Sequence, residues 1–332
     1  MTIRKMKLPQ DIDVAGRVSL EAFQYPDHPE WSIQSDEKEG IQDMLAKIKR
    51  FWPLLALLRY LSPSFRDIIL GYVWEEKDQI AGICMYQRRP GGDYYISNVS
   101  VLPDFRRRGI ARGLVEAVIA EMRANGVKKA LLDVISGNLP AYRLYEKLGF
   151  EHFSGNVVLD FDHNDLPEQL ALPEGYEFTR LKRRDWRLSY ELEKRIMPES
   201  VQKYDPVIEG RFREPLVEGV FDWVTSTRVE KIGVLNLANG QLVARATTSY
   251  RTRPGGVNQV FLRVDPAHKD ITAAFLHHLI RFVQTAAPGR KLEALFPTWQ
   301  TRLEEEAIKA GFEKRYTYHT MGLLLQPEEI SG

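Results

Sequence analysis

The chain of 332 residues has one cysteine, Cys84. That excludes an intrachain disulfide and any zinc site built on thiolates. Cys84 lies in the apolar run Ile80–Met85, which reads as a buried strand rather than the setting of a nucleophile. Long apolar runs are also missing. The longest, FWPLLALLRYL at 51–61, is broken by Pro53 and Arg59 and falls short of the roughly 20 residues that span a bilayer. It reads as a buried or substrate-facing helical segment, and no membrane partner is expected. The opening MTIRKMKLPQDID has no apolar core of a signal peptide, so the expected setting is the reduced cytoplasm. Charge of either sign is scarce as an excess: 46 basic residues face 45 acidic ones, a net charge of +1. A general nucleic-acid binder needs a basic surplus, so that class is set aside. The Gly-x-Gly-x-x-Gly and P-loop patterns are absent too.

What is present is an ordinary core composition, 44% hydrophobic and 11% aromatic, on a chain long enough for about two domains. It is also internally repeated. RRPGGDYYISNVSVLP (88–103) has an echo in RTRPGGVNQVFLRVDP (251–266), and YRLYEKLGFE (142–151) in LEEEAIKAGFE (303–313). Pro103 to Gly149 spans 46 positions and Pro266 to Gly311 spans 45. TIRKMKLPQD near the start resembles EFTRLKRRDW at 177–186. Similar landmarks in one order at nearly one offset mark a tandem duplication. The stretch DHNDLPEQLALPEG (162–175) reads as a linker. It separates an expected first domain at 1–165 from a second at 174–326.

Periodicity predicts helix over Asp11–Phe23, one or two helices over 36–61, and strands at Ile68–Glu75, Gln79–Arg88 and Tyr94–Val101. A long amphipathic helix follows at Ile110–Asn125, with Ile110, Leu114, Val118, Ile119 and Met122 inward and Gly126 past its end. Next come a strand at Ala130–Ile135, a helix at Leu139–Leu148, and a closing strand at Val157–Phe161. The fold class is α/β: an α+β mixed sheet with helices on both faces.

One stretch invites chemistry. In SNVSVLPDFRRRGIARG a strand ends near Pro103, three arginines follow, and Gly109 opens the long helix. The first amides of a helix have no intrachain acceptor and sit at the positive end of its dipole. Gly109 permits φ > 0 and close approach of an anion. Two readings are open: an anion site whose ligand relieves the repulsion of Arg106, Arg107 and Arg108, or an exposed basic loop that needs Gly109 only for its turn.

Arg106-x-x-Gly109-x-Ala111 after a Val-x-Val-x-Pro strand resembles the acetyl-CoA signature of the GCN5-related N-acetyltransferase (GNAT) superfamily. NLPAYRLYEKLGFE (138–151) is similar to that family's second landmark, in the same order and at its usual separation. The resemblance implies two GNAT-like acyl-CoA N-acyltransferase domains in tandem, acetyl-CoA as co-substrate, no metal, and a small-molecule or peptide amine as acceptor. It implies that the loop from Arg106 through Arg107, Arg108, Gly109, Ile110 and Ala111 to Arg112 binds the cofactor, its amides holding the pyrophosphate. Val99, Ser100 and Val101 would line the pantetheine arm and Asn138 would touch the cofactor. Tyr145 would protonate the leaving thiolate, a feasible transfer from a phenol near pKa ~10 to a thiol near ~8.5. The competing readings are a core aromatic beside Phe150 for Tyr145 and a helix N-cap for Asn138; for Asn138 both can hold. Many family members carry a glutamate on the strand before the loop. Here that strand has no carboxylate, and Asp93, Glu75 and Asp133 are left as unranked candidates for the base.

In the second copy Lys269 stands opposite Arg106, Thr272 opposite Gly109, Ala274 opposite Ala111 and Ala307 opposite Tyr145. The expectation is a kept fold with lost transfer machinery. Such a copy could complete the first half's sheet, bury part of its cleft, or support a homodimer. The leading function is an N-acetyltransferase with an active first domain and direct attack by the amine. The alternative is a non-catalytic acyl-CoA-binding or regulatory module.

Overall fold

The computed structural model describes residues 1–61, 70–77, 79–89, 91–162, 166–213, 227–251 and 256–325. The expected strand start at Ile68, residues 163–165 of the linker and most of the second Arg-Pro-Gly-Gly stretch lie outside them. Contacts divide the chain into two units: residues 1–153 with the stretch from His319 onward, and residues 154–318.

The first unit begins with β1 (Thr2–Lys5), α1 (Ile12–Ala22), α2 (Ser35–Arg50) and α3 (Trp52–Leu61). Pro53 sits in the first turn of α3, where its missing N–H costs nothing, so the break falls at Phe51. Next come β2 (Leu70–Glu76), β3 (Gln79–Arg88), β4 (Tyr94–Val101), α4 (Ile110–Ala124), β5 (Lys129–Ile135), α5 (Leu139–Lys147) and β6 (Glu151–Phe161). Strands β1 to β4 pair antiparallel in chain order, and β5 joins β4 in parallel. Alternation along the strands feeds two cores. One face packs Cys84, Tyr86, Ile96 and Leu132 against Leu114, Val118 and Met122 of α4. The other packs Val73, Ile83 and Leu102 against Ala15 and Val18 of α1. Helix α4 ends as its sequence dictates. Gly126 has φ +66°, and Val127 N–H closes on Met122 O at 3.0 Å, the Schellman closure that Gly at this place favours.

The second unit carries β7 (Tyr176–Arg180), α6 (Trp186–Ile196), the short α7 (Glu199–Gln202), β8 (Thr227–Asn236), β9 (Gln241–Arg251) and β10 (Asn258–Val264). It continues with α8 (Thr272–Ala286), β11 (Leu292–Pro297), α9 (Thr301–Lys309) and β12 (Glu313–Leu324). Strands β7 to β10 are antiparallel neighbours and β10 pairs β11 in parallel, the connectivity of the first unit repeated.

The two units trade their closing strands. From Ser154 onward β6 counts with the second unit and pairs antiparallel with β11, from Asn156↔Pro297 to Phe161↔Leu292. From His319 onward β12 counts with the first. There Met321, Leu323 and Leu325 enter the core beneath α4, and Leu325 N–H bonds Lys128 O at 2.8 Å. The expected strand at Val157–Phe161 is thus longer, starting at Glu151, and closes the other unit's sheet. A division at 165–173 follows the chain; the contacts follow the exchanged strands.

Candidate active site

Strands β4 and β5 are partners only from Tyr94↔Ala130 to Ile96↔Leu132, although β4 runs on to Val101 and β5 to Ile135. The parting has a local cause. The register shifts between Met85↔Asn98 and Tyr86↔Ile96, which leaves Ser97 as an extra residue on β4, a bulge that bends its strand. Beyond it, Leu102 N–H bonds Ala81 O at 2.9 Å. Alternation in an antiparallel ladder then turns the backbone of Ser100 toward β3 and that of Val99 and Val101 toward the gap. The Val101 carbonyl accepts from Arg106 Nε at 3.3 Å, so both backbone groups of Val99 and the N–H of Val101 are left facing the slot.

At the end of β4 the loop forms a cradle. Arg107 has φ +64° and Gly109 φ +81°, two left-handed residues set between right-handed or extended ones, the arrangement that turns successive N–H groups inward as an anion nest. A Cβ on Gly109 would meet nothing within 4 Å, so open space lies where a phosphate would approach. The first amide of α4 with a helical acceptor is that of Gly113, to Gly109 O at 3.0 Å. Those of Ile110, Ala111 and Arg112 precede it.

The arginines have separate duties. Arg106 gives Nη2 to Ala22 O at 2.8 Å and so ties the end of α1 to the end of β4. Arg108 bonds Asp104 O at 2.8 Å and lies 5.0 Å over the Phe105 ring. Arg112 pairs with Glu116 at 2.8 Å. The guanidinium of Arg107 alone among the three consecutive arginines has no protein partner among the described residues. Their mutual repulsion is thus relieved largely by carbonyls and an aromatic face, while Arg107 stays exposed.

Tyr145, on α5, is 6% exposed and edge-on to Phe150 at 6.0 Å. Its hydroxyl has no hydrogen-bond partner among the described residues. Burial pushes its pKa well above the ordinary tyrosine value, with Cys84 and Tyr25 adding to the rise, so it stays a proton donor. The core reading describes its surroundings, and the protonated hydroxyl is compatible with the donor reading. Asn138 is the N-cap of α5, accepting from Ala141 N–H at 3.3 Å.

Three site residues escaped the sequence reading. Tyr25 stands in the loop after α1, its pKa raised by burial and partly restored by Arg106 and Asn138. Trp31, from the same loop, lies so close to Gly137 that a Cβ there would stand 2.9 Å from its ring. Tyr95 gives its hydroxyl to Asp133 at 2.7 Å, and burial beside that carboxylate raises its pKa far above the usual value. No short motif marks these residues; the parting of the strands brings them in. It also ranks the candidate bases. Glu75 is held by Arg4 at 2.8 Å. Asp93 precedes β4, at the end away from the slot. Asp133 is the first residue of β5 beyond its last paired position, Leu132.

The second unit departs at each of these places. Its β9–β10 register is unbroken, and β10 stays paired with β11 as far as Phe261↔Leu295. Pro266–Ile271 is a 3₁₀ helix with no left-handed residue. Gln300, the counterpart of Asn138, is buried and donates Nε2 to Val264 O at 2.5 Å, while Val264 N–H reaches its Oε1 at 3.4 Å. Val264 is the counterpart of Val101. A side-chain amide thus takes both backbone groups of Val264, whereas in the first unit Arg106 takes only the carbonyl of Val101.

Residues 39–150 match the model of the acetyltransferase (GNAT) family. That stretch, about a third of the chain, is where the family match lies. GNAT relatives include the ribosomal-protein alanine N-acetyltransferase of Salmonella typhimurium, 47% identical over 53 residues, which are 16% of this chain and 36% of that one. The mycothiol acetyltransferase of Corynebacterium glutamicum is 31% identical over 97 residues, 29% of this chain and 32% of that one. The matches thus span about a third of these relatives' length. The tandem GNAT protein from the clavulanic acid biosynthesis pathway aligns over 99% of both chains with a TM-score of 0.64 at 16% identity. A GCN5-related N-acetyltransferase from Sphaerobacter thermophilus aligns over 98% of this chain and 96% of its own, with a TM-score of 0.66 at 14% identity. The likeness is one of fold, and it runs through both units. No helix among the described residues is long and apolar enough to cross a membrane.

Proposed function

We propose that the first unit is an N-acetyltransferase that moves an acetyl group from acetyl-CoA to a primary amine, and that the second keeps the fold without the transfer machinery. The observation that carries this reading is the contrast between the two slots: bulged, parted and unfilled after Ile96, but paired further and filled by Gln300 in the repeat. The residues present fit the cofactor. The amides of Arg107, Arg108, Gly109, Ile110 and Ala111, with the Arg107 guanidinium, would hold its pyrophosphate, and Val99 and Val101 would line its pantetheine arm. When bound, acetyl-CoA supplies an activated acyl thioester.

The chain's own groups then move protons and charge. Asp133, its second oxygen holding the Tyr95 hydroxyl, takes a proton from the attacking amine as the N–C bond forms. The inward N–H of Val99 faces the oxygen on which negative charge grows. Tyr145 gives its proton to the sulfur as the C–S bond breaks. Transfer is direct. Cys84 is fully buried and burial drives its thiol pKa far up, so it cannot carry the acetyl group. One relative is named for acetylating a protein alanine and another is a mycothiol acetyltransferase, so peptide and small-molecule acceptors are both consistent with this reading.

The test is thiol release from acetyl-CoA against a panel of amines and peptide N-termini, with calorimetry for cofactor stoichiometry. One CoA per chain and amine-dependent thiol release are expected. One CoA per chain with no thiol release from any amine would favour the acyl-CoA-binding module. No CoA binding would overturn both.

A further inference from the structure

The second unit closes its cofactor slot but rebuilds the face beside it. The structure fixes the equivalences: the Ala81–Leu102 hydrogen bond recurs as Val243–Asp265, and Asp11, at the N-cap position of α1, recurs as Asp185 at that of α6. Ser19, Ile83 and Ser100 in the first unit therefore correspond to Glu193, Arg245 and Arg263. A weakly polar wall has become a charged triad. Glu193 is 4% exposed. Arg245 gives it Nη2 at 2.7 Å and Nε at 3.2 Å, and Arg263 gives it Nε at 3.3 Å. Arg263 Nη1 turns to Leu262 O at 3.0 Å.

Two guanidiniums thus share one hydrogen-bonded carboxylate, with Asp205 acting on Arg263 only through space, in a largely desolvated place where incompletely paired charge is costly. Arg245 Nη1 and Arg263 Nη2 have no acceptor among the described residues. Both side chains are about a quarter exposed, 24% and 23%, so these donors are reachable. Phe212 lies 5.5 Å from Arg245 and Trp299 5.9 Å from Arg263, holding the two planes in place. Lys231, on β8, feels the same field: burial first and Arg245 second bring its pKa down to about 8.

We infer that Arg245 and Arg263 form an anion site in the second unit, one that takes the carboxylate or phosphate of a small ligand between their free N–H groups. Planar, fork-like guanidiniums suit either oxyanion. Glu193 keeps the pair in register and is the one carboxylate that both guanidiniums bond directly. The inference stands independently of catalysis in the first unit.

The test is titration calorimetry of the whole chain with inorganic phosphate and, separately, with succinate, each against sodium chloride at equal ionic strength. Any phosphate taken by the Gly109 loop is common to all variants, so differences between them carry the result. Glu193→Gln leaves both arginines and removes the competing charge; it should tighten the anion at this site at least about tenfold. Glu193→Gln combined with Arg245→Gln restores the charge balance and should abolish that gain. The tighter of the two probes identifies phosphate or carboxylate as the preferred group. Heats equal to those of chloride in wild type and Glu193→Gln would overturn the inference. So would a gain in Glu193→Gln that survives Arg245→Gln, since the ion would then bind elsewhere. Circular dichroism of each variant excludes loss of fold as the cause.

Discussion

Tyr145 packs in the core and is the proposed acid, and a single substitution separates the two. Tyr145→Phe keeps the ring against Phe150 and deletes only the hydroxyl. Turnover should fall about 10²–10⁴-fold with CoA affinity unchanged; equal turnover across the pH range would remove Tyr145 as the acid. The same hydroxyl bears on stability. Its pKa is raised in the folded state, so above about pH 10 the unfolded chain loses a proton that the native chain keeps. Stability is intact below that value and declines as pH rises through the folded pKa. Tyr145→Phe should flatten this alkaline decline, as read by thermal melts between pH 9 and 11 (roughly the range of an unperturbed phenol). Asp133→Asn should lower kcat at neutral pH by about 10²-fold or more, with partial recovery toward alkaline pH as the amine deprotonates unaided. A loss that does not vary with pH would assign Asp133 a positioning role through Tyr95.

At the scale of an element, the loop between β4 and α4 depends on one backbone angle. Gly109 at φ +81° tolerates a side chain in space but not in conformation. Gly109→Val should cost about 1–2 kcal/mol of stability and weaken CoA binding by far more than that strain explains, because the nest opens. Calorimetry with CoA and a melting curve on one sample distinguish the two effects. This element was also the most legible in the sequence. Pro103, Gly109 and Gly126 punctuate it, and the inward stripe from Ile110 to Met122 gave its helix to within a residue. The bulge at Ser97 was not legible, because a bulge is a register mismatch between two strands and neither strand shows it alone. Asp133 was visible as a carboxylate yet could not be ranked until the parting of β4 from β5 set it beside the slot. Tyr25 and Trp31 were hidden for a similar reason: they approach Asn138 and Gly137 across more than a hundred residues of chain.

At the scale of the molecule, the internal repeat announced two units, but not which strands would close them. A closing strand is specified by the edge it meets, and neither β6 nor β12 names that edge in its own sequence. The exchange makes the first unit depend on the far end of the chain. Met321→Ala, at a fully buried position, should destabilise the first unit by about 2–5 kcal/mol, measured by hydrogen exchange in α4. A fragment ending at residue 165 should lose protection there and bind CoA poorly; a fragment as stable as the whole chain would show that another strand can take the place of β12.

The return of residues 319–325 to the first sheet also sets an order on synthesis. About 165 residues must emerge after Phe153 before that sheet can close, which at about 5–20 residues per second is roughly 10–30 s of waiting on the ribosome. Through that interval the margin of β5 is bare, and a nascent chain in this state has an open edge that holding chaperones could cover.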